Sequence, residues 1–474
     1  MKVIGKCQAM VSSRRELGLL TFLFGRNWFP LVIQLLFTAV FILLIFGGLG
    51  ANTTDMKFAG ILRNTNLANL VVWSYWWPLV IVSAVIFGRI WCAVCPMELV
   101  TSGLSKFGLK RKVPGWMRSG WLITVFYALI LVIGIHTFAI HRVPFRMALY
   151  LILLFGLAVV FGLLFKKRAF CNHLCPIGPL LGFYGFCSPF EIRVRDRQVC
   201  HDCRGKECIS SGNYYNFVGR SCTSELYPAT LWHNRDCITC SQCFKSCPFD
   251  NVGVFARMPF KDIFSGLRLT SSQTFLLYII SGFVVYEILS EWQTTKDILA
   301  FIPNQVADKL GVADPHLTGL LTAVVIFLGY PLLWWIVPAF INRFSNPDTG
   351  VWEYMKSTAV FFVPVAAGAH LFKSMLKTTS RIPFIEHSID DPNGIETAKA
   401  IAAGTLFLDN SFVSAVQPYL TFCAITLFLI SIAVSLAALT RKCHAGEGIS
   451  VFPAATGVLT YCLIFVITIV WWRF

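Results

Sequence analysis

The sequence predicts a mainly α-helical, polytopic membrane bundle of about nine transmembrane helices with a small cysteine-rich insert. Three observations predict it. First, the 474 residues are 56% hydrophobic and only 14% charged, with a mean hydropathy of +0.66, whereas soluble domains run near a quarter charged. Second, apolar runs of roughly 20 residues, the length a bilayer core requires, recur along the chain. Third, a polar, cysteine-rich stretch with no such run interrupts them between about Glu191 and Asp262.

Four runs qualify in the first half: Trp28–Leu49, Leu67–Gly88, Gly120–Ile140 and Met147–Phe165. Ile177–Phe190 is apolar but too rich in Gly and Pro to span, and is expected at the interface or as a re-entrant piece. After the insert come Thr274–Leu289, Leu317–Ile341, Ser357–Phe372, Pro418–Leu439 and Ser450–Trp472. The expected domains are therefore a four-helix membrane domain (1–190), the insert (191–262) and a five-helix membrane domain (263–474). Basic residues set the orientation. Lys2, Lys6, Arg14, Arg15 and Arg26 precede the first helix, and six more lie between Arg89 and Arg118. Lys166, Lys167 and Arg168 follow the fourth helix, while the alternate loops carry only Lys57, Arg63, Arg142 and Arg146. The amino terminus and the insert are thus expected on the cytoplasmic side of the cell's inner membrane. No cleavable signal peptide is read in the first 26 residues. The formal charge of +16 reads as topology and contact with anionic membrane lipid, not as nucleic-acid binding.

The 17 cysteines do not suit a disulfide scaffold, which belongs to small secreted domains. Cys237 to Pro248 reads CITCSQCFKSCP, the Cys-x2-Cys-x2-Cys-x3-Cys-Pro ligand run of a bacterial-type [4Fe-4S] ferredoxin. CHDCRGKEC supplies a second triplet, Cys200, Cys203 and Cys208. In two-cluster ferredoxins the remote cysteine of each motif serves the opposite cluster. Cys247 then completes the Cys200 set and Cys222 the Cys237 set, with Cys187 as the fallback for Cys222. Two [4Fe-4S] clusters on a ferredoxin-like insert follow; structural zinc is the competing reading.

An internal repeat adds four thiols. FGRIWCAVCPMEL (Phe87–Leu99) follows the second helix and FKKRAFCNHLCPIGPL (Phe165–Leu180) the fourth, so duplicated hairpins would bring Cys92, Cys95, Cys171 and Cys175 together. These are open to a third metal centre, a dithiol pair, a copper ion or a role as small buried hydrophobes.

The GRIWCAVCP and CNHLCPIG segments, followed by a two-cluster insert, resemble the membrane iron–sulfur proteins of the NapH, NosR and CcoG type over about Arg26 to Arg257. The first motif departs from that pattern in having Cys-x2-Cys-Pro for Cys-x3-Cys-Pro, and the five-helix carboxyl half has no counterpart there. The resemblance implies electron transfer between the quinone pool or a cytoplasmic, ferredoxin-like donor and an extracytoplasmic respiratory partner. It also implies an alternative, copper reduction during oxidase assembly. No Gly-rich dinucleotide fingerprint follows a strand, so a relay is expected, not a complete dehydrogenase. In the carboxyl half His370 is a candidate for a metal, b-type haem or quinol role, with His136 as the second haem histidine and Glu287 as a proton acceptor beside a quinol. A redox-sensing transporter is a third reading, set back by the lack of a visible intramembrane charge network.

Overall fold

A computed structural model describes residues 15–312, 314–444 and 449–473; the basic residues and leader reading at positions 1–14 fall outside them. Among the described residues, nine apolar helices correspond to the nine expected runs. They are α1 Leu31–Leu49, α2 Leu67–Phe87, α3 Trp121–Thr137, α4 Pro144–Leu164, α5 Ser271–Leu289, α6 His316–Ser345, α7 Val351–Asp390, α8 Ser411–Cys443 and α9 Val451–Trp471. Eight are long and apolar enough to cross a membrane and α3 is shorter, so the chain is a mainly α polytopic membrane protein.

Where helix ends differ from the apolar runs, the cause is local. α5 starts three residues early because the Thr270 side chain accepts from the Gln273 backbone N–H while Gln273 caps Thr270 in return, which satisfies two otherwise orphaned donors. α2 stops at Gly88, whose φ of +69° favours a residue without Cβ. α7 runs well beyond Ser357–Phe372 at both ends. Its flanks VWEYMKST and KSMLKTTS hold too many polar residues to read as membrane, yet 83% of its most apolar window is buried inside the protein.

The chain divides into two compact units. Residues 1–39, 83–113 and 157–262 form one, and 40–82, 114–156 and 263–474 the other. In the first unit, strand β1 (Phe190–Val194) pairs antiparallel with β2 (Val252–Ala256), from Phe190 opposite Ala256 to Val194 opposite Val252. Two strands alone are marginal in water. Here Ile192, Val194, Phe244, Val252 and Val254 close a small core against Leu17, Leu20 and Phe24, each side chain contributing about 1.5–3 kcal/mol. Buried Arg257 holds the end of the sheet. It pairs with Asp262 at 2.9 Å and donates to the Ser188 carbonyl at 2.7 Å and the Gly185 carbonyl at 3.0 Å. The Ile177–Tyr184 segment is a short helix whose Leu180, Leu181, Phe183 and Tyr184 are buried.

In the second unit α7 packs on α8, α6 on α9, and α5 on α7. Helices in lipid associate through close packing and polar contacts, and both occur. A Cβ on Gly282 would meet the Ile326 carbonyl at 2.8 Å, and one on Gly457 the Trp334 carbonyl at 2.7 Å. Trp334 and Trp335 both donate their indole N–H to Ser281 Oγ, at 3.0 and 3.1 Å.

Candidate iron–sulfur site

The strand register decides which cysteines meet. Val194, six residues before Cys200, lies opposite Val252, five residues after Cys247, so the two loops leave the sheet side by side. Cys200, Cys203, Cys208 and Cys247 line one open pocket, walled by Val199 and Tyr227. Asn251 ties the set together. Its backbone N–H reaches Cys247 Sγ at 3.4 Å and its side-chain amide reaches Cys200 Sγ at 3.3 Å. Its carbonyl oxygen accepts from the Asp196 N–H at 2.9 Å. N–H donors to ligand sulfurs stabilise negative charge there and tune an iron–sulfur potential.

The second set gathers on the Cys237 loop. Thr239 and Ser241 adopt positive φ of 53° and 56°, a conformation few non-glycine residues take and one that concentrates at ligand sites. These left-handed residues alternate with Cys240 and bend the loop so that its thiols converge. Ser241 Oγ anchors it on the Phe24 carbonyl at 2.6 Å. Gln242 Oε1 accepts from the backbone of Gly219 and Arg220, which draws in the Cys222 loop. Cys222 then lies within electrostatic reach of Cys237, Cys240 and Cys243. Cys187 is elsewhere, buried beside Arg257 and Asp262. Burial pushes the Cys208 and Cys237 thiols up to about 12, so they would ionise at neutral pH only on a metal. Among the described residues no three His, Cys, Asp or Glu side chains close on a single-ion position. In a cubane each thiolate binds a different iron, so such ligands stand farther apart than those of one zinc.

The repeated motifs form a third group in the same unit. Cys95 has Cys171, Cys175 and Cys92 as its electrostatic neighbours, and burial first, then these three, raises its thiol. Arg89 Nη2 lies 3.8 Å from Cys92 Sγ; a Cβ on Gly178 would stand 3.0 Å from that guanidinium, so the Cys-Pro-Ile-Gly ending leaves it room. Arg168 is 0% exposed, and its Nε, Nη1 and Nη2 all lack a hydrogen-bond partner. It faces Cys171, Glu98, Cys92 and Cys240. Glu98 is itself spoken for, by Gln34 at 2.6 Å and Arg220 at 2.8 Å. Each buried unsatisfied polar group costs on the order of 1–3 kcal/mol, so Arg168 marks a place where the fold expects negative charge.

His370 belongs to the other unit. Its Nε2 meets Glu287 Oε2 at 2.7 Å, so that nitrogen is engaged by a carboxylate. His136 does not face it as a haem pair would. The His136 ring packs on Tyr286 and Phe327, and Phe327 and Phe283 fill the way to His370. Lys373 donates to the Glu287 carbonyl at 2.6 Å and pairs with Glu291. The membrane half therefore does hold a charge network, contrary to the sequence expectation; its partners lie over 80 residues apart and no local pattern signals them. Asn251 and Arg168 were also missed, although each sits within four residues of a recognised cysteine.

The 4Fe-4S binding domain family matches the chain twice, over residues 69–114 and 147–192, the two stretches that carry the repeated Cys-Pro motifs. The ferredoxin-type protein NapH of Haemophilus influenzae is 26% identical over 185 residues, covering 36% of this chain and 63% of that protein. NapH of Escherichia coli is 29% identical over 98 residues, covering 21% and 33%. The methylamine utilization ferredoxin-type protein MauN of Paracoccus denitrificans is 29% identical over 136 residues, covering 24% and 46%. The chain thus spans between a third and just under two thirds of the length of these relatives. No solved structure matches it. Across part of its length the chain is similar to the NapH-type membrane iron–sulfur proteins, in agreement with the resemblance carried by its repeated motifs.

Proposed function

We propose that this protein is a membrane-bound electron-transfer relay carrying two [4Fe-4S] clusters, one on Cys200, Cys203, Cys208 and Cys247 and one on Cys222, Cys237, Cys240 and Cys243. The observation that carries this reading is the sorting of eight insert cysteines into two fours with the remote cysteines exchanged. The ferredoxin-type relatives support the iron–sulfur chemistry. Each cluster, when bound, supplies a one-electron couple. The protein's own part is to supply thiolates, hold N–H donors on the sulfurs through Asn251 and Leu226, and keep water from the buried side of each set. Electrons would pass between the quinone pool or a cytoplasmic ferredoxin-like donor and an extracytoplasmic respiratory partner. The insert and the amino terminus would face the cytoplasm from the inner membrane. The division of labour would follow the 1–190, 191–262 and 263–474 domains.

Cys92, Cys95, Cys171 and Cys175 would hold a third metal centre, with the unpartnered guanidinium of Arg168 balancing its negative charge. The same four thiols favour one other reading, reduction of a copper ion with cluster electrons. Metal analysis of anaerobically purified protein tests both. About eight irons (two four-iron clusters) with a paramagnetic signal after dithionite supports the relay; zinc in place of iron and no signal refutes it. Iron beyond eight that is lost in a Cys95→Ser variant supports the third centre. Copper binding with cupric-reductase activity that a Cys171→Ser variant abolishes supports the second reading.

A further inference from the structure

We propose that Arg63, Arg142, Lys377 and Arg381 form a binding site for a phosphate-type oxyanion within the second unit. They come from three stretches of that unit: the end of the short helix Met56–Thr65, the turn between α3 and α4, and the later part of α7. The fold brings them into one electrostatic neighbourhood. Arg63 has Arg381 and Arg142 as charged neighbours, and Lys377 has Arg63. His141 has Arg142, Arg63 and Lys377 around it. The site lies in one unit and draws on no cluster.

The carboxylates nearest these cations are spoken for, Glu287 by His370 and Glu291 by Lys373. Among the described residues none of the four lies within ion-pair distance of a carboxylate. Gathering like charges without a counter-ion is unfavourable, the more so where water is partly excluded. Burial first, then the charge of Arg381, draws the Arg63 guanidinium down to about 10, as for a cation short of a partner.

Unused donors accompany the unpaired charge. Nε of Arg63, Nε of Arg381 and Nδ1 of His141 are shut off from solvent with no hydrogen-bond partner. Arg142 donates to His141 Nε2 at 3.2 Å, so the ring proton sits on Nδ1 as a donor without an acceptor. An Nε–H and its neighbouring Nη–H make a two-pronged edge with which a guanidinium grips an oxyanion, and that edge is unfilled on two arginines here. A carboxylate presents two oxygens in one plane. A tetrahedral phosphate presents oxygens in several directions and fits donors arriving from three elements. All four cationic side chains are half-buried, so the group is reached from outside and no closed chamber is needed. The frame is tied in place. Thr378, between Lys377 and Arg381, donates to the Ser74 carbonyl of α2 at 2.8 Å, and Asn69 of α2 donates to the Arg63 carbonyl at 2.9 Å.

Such a group arrives as a phospholipid headgroup or as a free ion, and the test separates the two. Full-length protein, delipidated in dodecyl maltoside, is treated with phenylglyoxal, which modifies arginine, and the modified residues are located by peptide mass spectrometry. The additions are inorganic phosphate, phosphatidylglycerol, or diacylglycerol, which has the tails without the phosphate. Protection of Arg63, Arg142 and Arg381 by inorganic phosphate supports the site with a free ion as ligand. Protection by phosphatidylglycerol but not by diacylglycerol supports it with a lipid headgroup. Unchanged labelling under every addition overturns it, as does equal protection of Arg268, an exposed arginine paired with Glu353. This readout uses wild type and needs no variant to fold. In Arg381→Gln the ligand concentration for half-protection of Arg63 should rise roughly tenfold, as for loss of one charge-assisted hydrogen bond. Lys399→Gln removes an equal charge from the exposed pair with Glu396 and should change nothing. Equal weakening in both variants overturns the site in favour of general charge.

Discussion

In the unit that carries the insert, eight cysteines reach their positions through short loops and one two-stranded sheet, and most of them can be named from spacing alone. In the other unit, Glu287 and His370 meet across 83 positions of sequence and nothing local announces them. A metal-ligand loop must present several sulfurs from one turn, so its chemistry is written as a contiguous pattern. An intramembrane polar pair needs only one residue from each of two helices, and its pattern appears only when the helices pack. The first kind of site should therefore fail by losing its bound group, and the second by losing fold stability.

The largest effect that would break this contrast is in the metal content. Cys247→Ser is expected to remove about half of the eight cluster irons expected for two four-iron clusters, because it takes a ligand from the Cys200 set while leaving the Cys237 triplet whole. Cys187→Ser should leave the iron unchanged, since Cys187 lies beside Arg257 and Asp262 and away from both sets. Iron analysis and the paramagnetic signal of reduced protein check both. Equal losses from the two variants would mean that the sets are wired differently.

Next comes stability in the second unit. Replacing one member of a buried hydrogen-bonded pair leaves the other unsatisfied and costs on the order of 1–3 kcal/mol, more where that group is charged, whereas replacing both with apolar groups of like shape can be nearly neutral. Glu287→Leu should accordingly lower the melting temperature well below that of the Glu287→Leu, His370→Leu double variant. A double variant no better than the single would show that Glu287 and His370 do not act as a pair.

How much could be read in advance follows the same division. The nine apolar helices were legible because hydropathy over about 20 residues is a bulk property, while several ends shifted, most at α7 and α8, where polar flanks continue the helix beyond the apolar run. The cysteine triplets were legible from spacing. Asn251 was not, because one asparagine after a Cys-Pro is an ordinary turn residue until the β1–β2 register shows that it spans Cys200 and Cys247. Arg168 was counted as one of three basic residues marking a membrane face, and only its full burial among cysteines separates it from Lys166 and Lys167.

A smaller effect sharpens the first half of the contrast. Asn251→Ala removes the side-chain N–H from Cys200 Sγ but keeps the backbone donor to Cys247. Loss of a hydrogen bond to a reduced cluster disfavours the extra electron. The midpoint potential of the cluster on the Cys200 set should fall by tens of millivolts, since about 59 mV corresponds to a tenfold change for one electron. The cluster on the Cys237 set should not move. A redox titration followed by its paramagnetic signals measures both, and equal shifts would show that Asn251 acts through the fold instead of through its sulfur contact.

The smallest expected effect lies at the end of α5 and depends on pH. Burial works against ionisation of Glu291, yet Lys373 beside it, with Lys377 and Arg381 nearby, brings its carboxyl down to about 2. In an unfolded chain the same group titrates near 4.3. Because the folded value is the lower one, the unfolded chain binds the proton first as pH falls. The contribution of Glu291 is therefore complete above about pH 5 and is lost between there and about pH 2. The melting-temperature gap between wild type and Glu291→Gln should be constant from pH 7 to pH 5 and should narrow towards pH 3. Any acid lability of the clusters acts on both proteins and cancels in the difference. A gap that held its size down to pH 3 would mean that Lys373 is stabilised mainly by the Glu287 carbonyl, and that the charge at Glu291 adds little to the packing of α5 on α7.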